Sequence, residues 1–348
     1  MKESSIKQKL NTTLDKIIDN KKIFGAIANI QSSNNSFSWS KSAGNLNKNS
    51  QYAIASITKL YTLAAILKLR ATGHLQLEDT LSKYFSKDFL CGLHTYKGID
   101  YSENITIKQL LSHTTGLPDY YTQKGENGKS IFDEVILKDK SLSFDELILM
   151  TKKMKPKFKP DEKRKAFYSD INFDILGKII EIITCKKLNE FFSEAIYEPL
   201  NLKDTYLYDV DSKDSFAPIY FKKQILHRPL FIASAFSSGG IVSNAQENMI
   251  FLRAFFEGKL FPKEYLEELY IWNRIQWFPL KYGIGMMQCK MSRLMSPLFP
   301  APEIIGHSGS TGTFAFYCPK KDLFITGTIN QTTKNPFQLV YRLLNCFD

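Results

Sequence analysis

Apolar positions near the start of the chain, Leu10, Leu14, Ile17 and Ile18, recur at helical spacing within a charged and polar segment, which predicts an amphipathic surface helix. FGAIANI (24–30) and FSWSKSAG (37–44) follow as two short strands joined by the polar turn QSSNNS, a β-hairpin. The pattern then changes. SITKLYTLAAILKLRA (56–71) is made of strong helix formers and is apolar on nearly every face, so it predicts a helix buried inside the protein, with Gly73 placed to end it in a left-handed cap.

The middle of the chain carries further helical patterns, ITIKQLLSH (105–113), LSFDELILMTKKM (142–154) and INFDILGKIIEIITCKK (171–187), separated by Pro, Gly and Lys-rich loops. The last third returns to strand-like runs, YGIGMMQC (282–289), TFAFYC (313–318) and LFITGTIN (323–330), before an amphipathic helix with Leu339, Val340, Leu343, Leu344 and Phe347. No period of repeat length recurs. Because both ends supply strands and a helix, the economical assembly is an α/β (α+β) fold. One sheet domain is built from 1–74 and 231–348, and a mostly helical domain, 75–230, is inserted into it.

Composition narrows this reading little. Hydrophobic residues at 43% and only 18 Gly and 13 Pro exclude disordered and collagen-like chains. The excess of 46 basic over 35 acidic residues gives +11, which fits a lysine-rich solvated surface, an acidic substrate, an anionic membrane or nucleic acid, the first being the favoured reading. Much of it lies in KKMKPKFKPDEKRK (152–165), which lacks the interleaved aromatics of a single-strand groove and reads as a basic loop; it can also overhang a site and attract anions. No nucleic-acid partner is implied. Five well-separated cysteines without a CxxC pair give neither a disulfide framework nor a zinc site. The first twenty residues hold no apolar run of signal-peptide length, and the longest uncharged segment, 229–246, is too rich in Ser, Gly and Asn to span a membrane. A reducing cytoplasm is the expectation.

Candidate chemistry begins at the buried helix. Ser56 and Lys59 are spaced so that both side chains project from one helical face. A serine hydroxyl needs a base to become a nucleophile, and a desolvated lysine can serve, while a helix N-terminus favours developing negative charge. Two other clusters stand out: Tyr168-Ser169-Asp170, and Gly306-His307-Ser308-Gly309-Ser310-Thr311-Gly312 before an apolar strand. A phenol can relay protons, and a glycine-rich edge can aim a backbone N–H at an oxyanion. GIGMMQ (283–288) lacks the third glycine of a dinucleotide fingerprint, and GHSGS around Ser308 has Ser310 where a nucleophile elbow needs glycine. His113 reads as a hydrogen-bonded loop histidine; His74, His94 and His227 have no ligand pattern, and neither metal nor cofactor is implied. Trp39, Trp272 and Trp277 read as packing residues, with WNRIQWFPL also able to wall a substrate pocket.

With these clusters in order, the chain resembles the serine β-lactamase and penicillin-binding hydrolases, in their class C-like branch of D,D-peptidases, D-aminopeptidases and esterases. ASITKLYTLAAILKLRATGHLQLEDTLSKYF is similar to the nucleophile helix, LLSHTTGLPDY (110–120) to a fold-marking loop and YSDINFDILGKIIE to the second motif; SSGGIVSNAQENMIFLRAFFEGKL, YGIGMMQ and IGHSGSTGTFAFYCPKKDLFITGTIN resemble the return segment and third motif. The resemblance implies a β-lactamase-like fold, an antiparallel sheet flanked by N- and C-terminal helices. It makes Ser56 the acylated nucleophile, Lys59 its proton acceptor and Tyr168 the proton carrier to the leaving group. His307 takes the first place of the third motif, Ser308 and Gly309 adjoin the substrate, and the N–H groups of Ser56 and Ser310 form the oxyanion hole. The implied partner is a small ester or peptide; oligomeric state stays open.

Two departures bear on substrate. Asp170 stands where β-lactamases usually carry asparagine; ionised, it cannot donate a hydrogen bond, and it can pair with Lys59 and blunt its basicity. His307 stands where a lysine is usual, so a permanent cation is missing. Both demote β-lactam hydrolysis. The expectation is an acyl-enzyme hydrolase of esters or small amides, with two alternatives: a β-lactamase or D,D-carboxypeptidase, and a catalytically weak binding or regulatory protein of the same fold.

Overall fold

The computed structural model describes residues 2–125, 128–211, 216–291 and 301–348. Its main sheet has eight antiparallel strands: β1 (Gly25–Ser32), β2 (Ser38–Gly44), β3 (Asn273–Arg274), β4 (Lys281–Tyr282), β5 (Met287–Cys289), β6 (Ile304–Gly309), β7 (Thr313–Cys318) and β8 (Leu323–Thr328), in the spatial order β3-β4-β5-β6-β7-β8-β1-β2. The sheet therefore joins the two ends of the chain through β1 and β8, where Ile27 faces Thr328 and Ile30 faces Ile325.

Both faces of this sheet are covered, which explains why its central strands read as continuous apolar runs rather than alternating ones. Side-chain direction still alternates beneath that pattern. Ala26, Ala28 and Ile30 of β1, with Phe314, Phe316 and Ile325, meet the terminal helices α1 (Glu3–Asp15) and α7 (Phe337–Leu344) through Leu10, Leu14, Leu339 and Leu343. Ile27, Ala315 and Phe324 point the other way, into a larger core with α2 (Thr58–Ala71), α4 (Ile171–Thr184) and α6 (Ala245–Phe256). On that side α3 (Ile131–Leu137) of the middle segment adds Ile131 and Val135 to the core, and α5 (Pro229–Ser234) packs Phe231 against it.

Some boundaries differ from the sequence pattern for identifiable reasons. The α-helix of the buried segment starts at Thr58, and Ser56 lies in a preceding 3₁₀ turn, Ala55–Ile57. The 105–113 pattern gives only Ile107–Leu111, started by a Thr106/Gln109 capping box and stopped by His113 at φ 57°. YGIGMMQC is a hairpin rather than one strand: Gly283 donates back to Met286 O at 2.8 Å, so Tyr282 pairs with Met287. Among the described residues no helix is long and apolar enough to cross a membrane.

Candidate active site

Ser56 is delivered by a strained turn. Ala55, immediately before it, has φ 48°, a left-handed conformation that a residue with a Cβ adopts only when its surroundings impose it. Those surroundings are visible on both sides. Ile54 N–H donates to Ile241 O at 2.9 Å, and the hydroxyls of Thr311 and Thr313, flanking the β6–β7 turn, donate to Ala53 O and Ile54 O, each at 2.8 Å. Gly309 makes this contact sterically possible, since a Cβ there would lie 2.5 Å from Ile54 O. Strand β6 and the turn carrying Ser56 are thus locked together, which brings Ser310 beside Ser56 at the rim of one cavity.

Lys59 is fully buried, a position a lysine holds only with its polar head satisfied. Its three N–H groups find three acceptors: Ser56 Oγ at 3.2 Å, Asp170 Oδ1 at 2.7 Å and Ser238 O at 2.7 Å. Asp170 is 15% exposed and opens α4, while Ser238 comes from the 236–239 helical turn. These two approach because Gly177 lets α4 pack directly on that turn; a Cβ at 177 would sit 2.1 Å from Ser237 Oγ. The pairing expected of Asp170 and Lys59 is therefore present as an ion pair.

Tyr168 stands outside the cavity lining, with Lys59 Nζ 5.1 Å from its ring centroid. Burial, and next the Asp170 carboxylate, push its phenol well above the usual range, while the neighbouring Ser56 hydroxyl pulls the other way. It is a neutral phenol, fit to hold or pass a proton. Its backbone is gripped at both ends by one side chain: Tyr168 N–H donates to Gln276 Oε1 at 2.8 Å, and Gln276 Nε2 donates to Tyr168 O at 3.0 Å. The ring packs on Trp277 at 5.1 Å and on His113 at 4.4 Å between centroids.

His113 and His307 complete a buried aromatic bed. His113 Nδ1 accepts from Ser169 N–H at 3.3 Å, which places its proton on Nε2. Burial, then the charge of Lys59, hold its pKa well below the ordinary value. His307 Nδ1 meets a carbonyl, Ser308 O, at 2.7 Å and must donate; its Nε2 then accepts from Tyr282 O–H at 3.1 Å. Burial, then Lys59, push His307 down to about 3, so it is neutral at physiological pH. Neither imidazole lines the cavity.

Two further carboxyl groups sit behind Asp170. Asp119 Oδ1 accepts from Asp170 N–H at 3.0 Å, and Asp174 Oδ2 accepts from Tyr120 O–H at 2.8 Å. Burial, then the Asp170 charge, raise Asp119 to about 6 and Asp174 to about 7.

The structure thus gathers Ser56, Lys59, Tyr168 and Asp170 around one hydroxyl, with Ser310 at the cavity rim. It does not bring Ser308 or Gly309 to the cavity: Ser308 Oγ turns to Met287 Sδ at 3.7 Å, and Gly309 serves the backbone contact above. Trp39 is buried in the core with its indole bonded to Asn11, and Trp277 packs on Tyr168 and is not part of the cavity lining. The basic stretch 152–165 lines a neighbouring cleft through Lys153, Lys155 and Lys157, with Tyr120 bordering both hollows. Asp119, Ser238 and Gln276 carry no motif, since they act through a main-chain atom of their own or of a partner. Among the described residues, no group of three or more His, Cys, Asp and Glu could hold a metal ion.

This arrangement of serine, lysine and tyrosine beside the β6–β7 turn of an antiparallel sheet can be compared with known proteins. A model of the Beta-lactamase family matches residues 16–344. The chain belongs to that family. Among curated relatives, Protein flp of Staphylococcus aureus strain MW2 is 32% identical over 174 residues, 50% of this chain and 31% of its own length. The chain thus spans about a third of the length of that relative. Among solved structures, a D-stereospecific amidohydrolase from a Streptomyces species is similar over 96% of this chain and 97% of its own, at 24% identity and TM-score 0.77. EstCE1, described as a hydrolase with promiscuous acyltransferase activity, is similar over 99% and 98%, at 19% identity and TM-score 0.77. For the Beta-lactamase family member described above, these likenesses establish the fold; the chemistry rests on its own residues.

Proposed function

We propose that this protein is a serine acyl hydrolase working through an acyl-enzyme on Ser56, with an ester or a small amide or peptide as substrate. The observation that carries the reading is the contact of Ser56 Oγ with Lys59 Nζ at 3.2 Å, at the mouth of a cavity that Ser310 also lines. In the acylation step Lys59 first passes one ammonium proton to the Asp170 carboxylate it touches, and the freed Nζ lone pair then takes the Ser56 proton as the oxygen attacks the substrate carbonyl. The N–H groups of Ser56 and Ser310 hold the oxyanion, each such donor being worth about 2.7–4 kcal/mol in the transition state. Tyr168 passes a proton to the leaving group, and the same groups then activate water to release the acid. His307 acts from behind, through Tyr282 and the ring of Tyr168, which it approaches at 6.0 Å between centroids.

The Asp170 ion pair favours a second reading, a protein of this fold with slow turnover, because Lys59 spends all three of its N–H groups as a donor, one of them on a carboxylate, and so presents no lone pair to the Ser56 hydroxyl. One experiment separates the two. The folded protein is treated with a fluorophosphonate or a penicillin and mapped by mass, and a panel of esters, D-peptides and β-lactams is run beside Ser56→Ala. An adduct on Ser56 and a rate lost on substitution establish the hydrolase; equal, negligible rates with no adduct establish the second reading. Two of its five free cysteines, Cys91 and Cys185, are exposed, which supports a reducing compartment such as the cytoplasm.

A further inference from the structure

The cavity beside Ser56 is narrow, about 80 Å³ of solvent-accessible space, and its far wall is apolar: Phe132, Val135 and Ile136 of α3 face Phe231 and Ile232 of α5. Two charged side chains line it among the described residues, Asp170 and Arg228. Asp170 is already neutralised by Lys59. Arg228 pairs with no carboxylate among the described residues and bonds only to carbonyls: Nε to Val135 O, Nη2 to Ile136 O at 2.6 Å and Nη1 to His227 O at 2.8 Å.

These bonds have a structural logic. Val135 and Ile136 stand in the last turn of α3, where carbonyls lack intrahelical partners and a cation is favoured. The reverse arrangement joins the same two helices: Asp139, just beyond α3, accepts from Leu230 N–H at 3.0 Å and Phe231 N–H at 3.1 Å in the first turn of α5. A cation caps the end of one wall helix and an anion caps the start of the other. The guanidinium is thereby fixed at the cavity, with two of its five N–H groups unspent.

We propose that Arg228 is a selectivity residue of this pocket: fastened to both wall helices, its cation turns away acyl groups that carry an ammonium, so the substrates are esters or amides of uncharged, apolar acids rather than of free amino acids. The proposal rests on the acyl-hydrolase reading and deepens it. An acyl group bound to Ser56 places its α-substituent in this cavity. A free α-ammonium there meets one unpaired guanidinium, one carboxylate already engaged and an apolar wall, so it loses water without gaining an anion. Rejection by a like charge is an efficient route to selectivity, because the uncharged competitor does not feel it.

The test uses a matched pair, the p-nitrophenyl esters of 3-phenylpropanoic acid and of D-phenylalanine, which differ only in the ammonium. We expect kcat/KM, normalised to spontaneous hydrolysis, to favour the uncharged ester by about tenfold at pH 6.5. The gap closes towards pH 9 as the amine, with a pKa of about 7.7–8.0, loses its proton. Arg228→Lys keeps the preference, and Arg228→Gln reduces it several-fold. A wild type that prefers the amino ester, a ratio independent of pH, or equal ratios in the Lys and Gln variants would overturn the proposal. The pH series needs no variant and stands even where Arg228→Gln fails to fold. Ser56→Ala run in parallel distinguishes the two failures: turnover that does not depend on Ser56 sinks the hydrolase reading, whereas Ser56-dependent turnover with the opposite preference sinks only this inference. Should turnover be absent, calorimetric binding of the two corresponding amides decides, with tighter binding of 3-phenylpropanamide supporting the proposal and equal or reversed affinity overturning it.

Discussion

Ser56 has two dissimilar sides. Towards Lys59 and Tyr168 nearly every polar atom is buried and committed: one amine with three acceptors, two imidazoles fixed in defined tautomers, three carboxyl groups within one hydrogen-bonded cluster. Towards the cavity the surface is mostly aliphatic and aromatic, with two helices held together at their ends. Geometry on the first side is over-determined, which suits proton transfers that tolerate little displacement. On the second side shape and a single charge carry the discrimination. Substitutions on the first side should therefore change rates on all substrates alike, and those on the second should change their rank order.

The largest expected effect is Lys59→Ala. It removes the one group that touches Ser56 Oγ, Asp170 and Ser238 O together, and kcat/KM should fall about 10³-fold for every ester in a panel, the span of a lost general base. Stopped-flow or steady-state p-nitrophenolate release measures it. Uneven losses across the panel would show that Lys59 also contacts substrate and would break the division of labour drawn above.

Next in size is a stability effect. Asp174 is buried, its Oδ1 accepts no hydrogen bond among the described residues, and its carboxyl is raised to about 7, chiefly by burial and then by Asp170. A carboxyl group whose folded pKa exceeds its unfolded one favours folding below pH 4 and loses that contribution as pH rises to about 7. Asp119, raised to about 6, acts in the same sense over a narrower window. Asp174→Asn keeps an acceptor for Tyr120 O–H and removes the charge, so the variant should be more stable than wild type at pH 8, by on the order of 3–4 kcal/mol, and nearly equal to it at pH 4. Urea melts at the two pH values check this; a variant less stable at pH 8 contradicts it.

The same contrast explains what the amino-acid sequence discloses. Ser56 and Lys59 are one helical turn apart, so their contact is a local consequence of spacing. The central strands and the buried helix are legible because β-branched and aromatic runs, or apolar residues on every face, leave few other arrangements. His307, Ser308 and Gly309 show the opposite case: their order in the chain matches a motif, yet register on β6 turns the imidazole into the protein and makes the glycine a spacer against Ile54. Gln276 and Arg228 are illegible because each works on backbone atoms about 90 to 110 residues away in sequence, and a backbone atom has no residue identity to read.

Gln276→Ala tests that last point with a moderate effect. Loss of both bonds to the Tyr168 main chain leaves the phenol's chemistry intact and loosens its aim, so kcat should fall about tenfold, with KM and thermal stability little changed. The loss should be the same for small and large acyl groups, because the clamp lies on the Tyr168 side of Ser56. A fall confined to bulky leaving groups would instead show that Gln276 supports Trp277 as a substrate wall.

The smallest expected effect lies on the other side. Ile232 faces the cavity from α5 and is 6% exposed, so Ile232→Val removes one methyl group from the wall at a cost of about 0.5–1.5 kcal/mol in stability. One methyl removed from this apolar wall makes room for added bulk on the acyl group, and differences of one methylene in an apolar pocket are worth about tenfold or more in selectivity when fully expressed. Part of that reaches a wall that can relax, so kcat/KM for branched and five- or six-carbon esters should rise about two- to threefold relative to acetate. The pH profile should not move, since no titrating group touches the change. A uniform shift across acyl sizes would mean that α5 acts on Ser56 through Ser238 and Lys59, and that the two sides of the nucleophile are coupled through the 236–239 turn rather than independent.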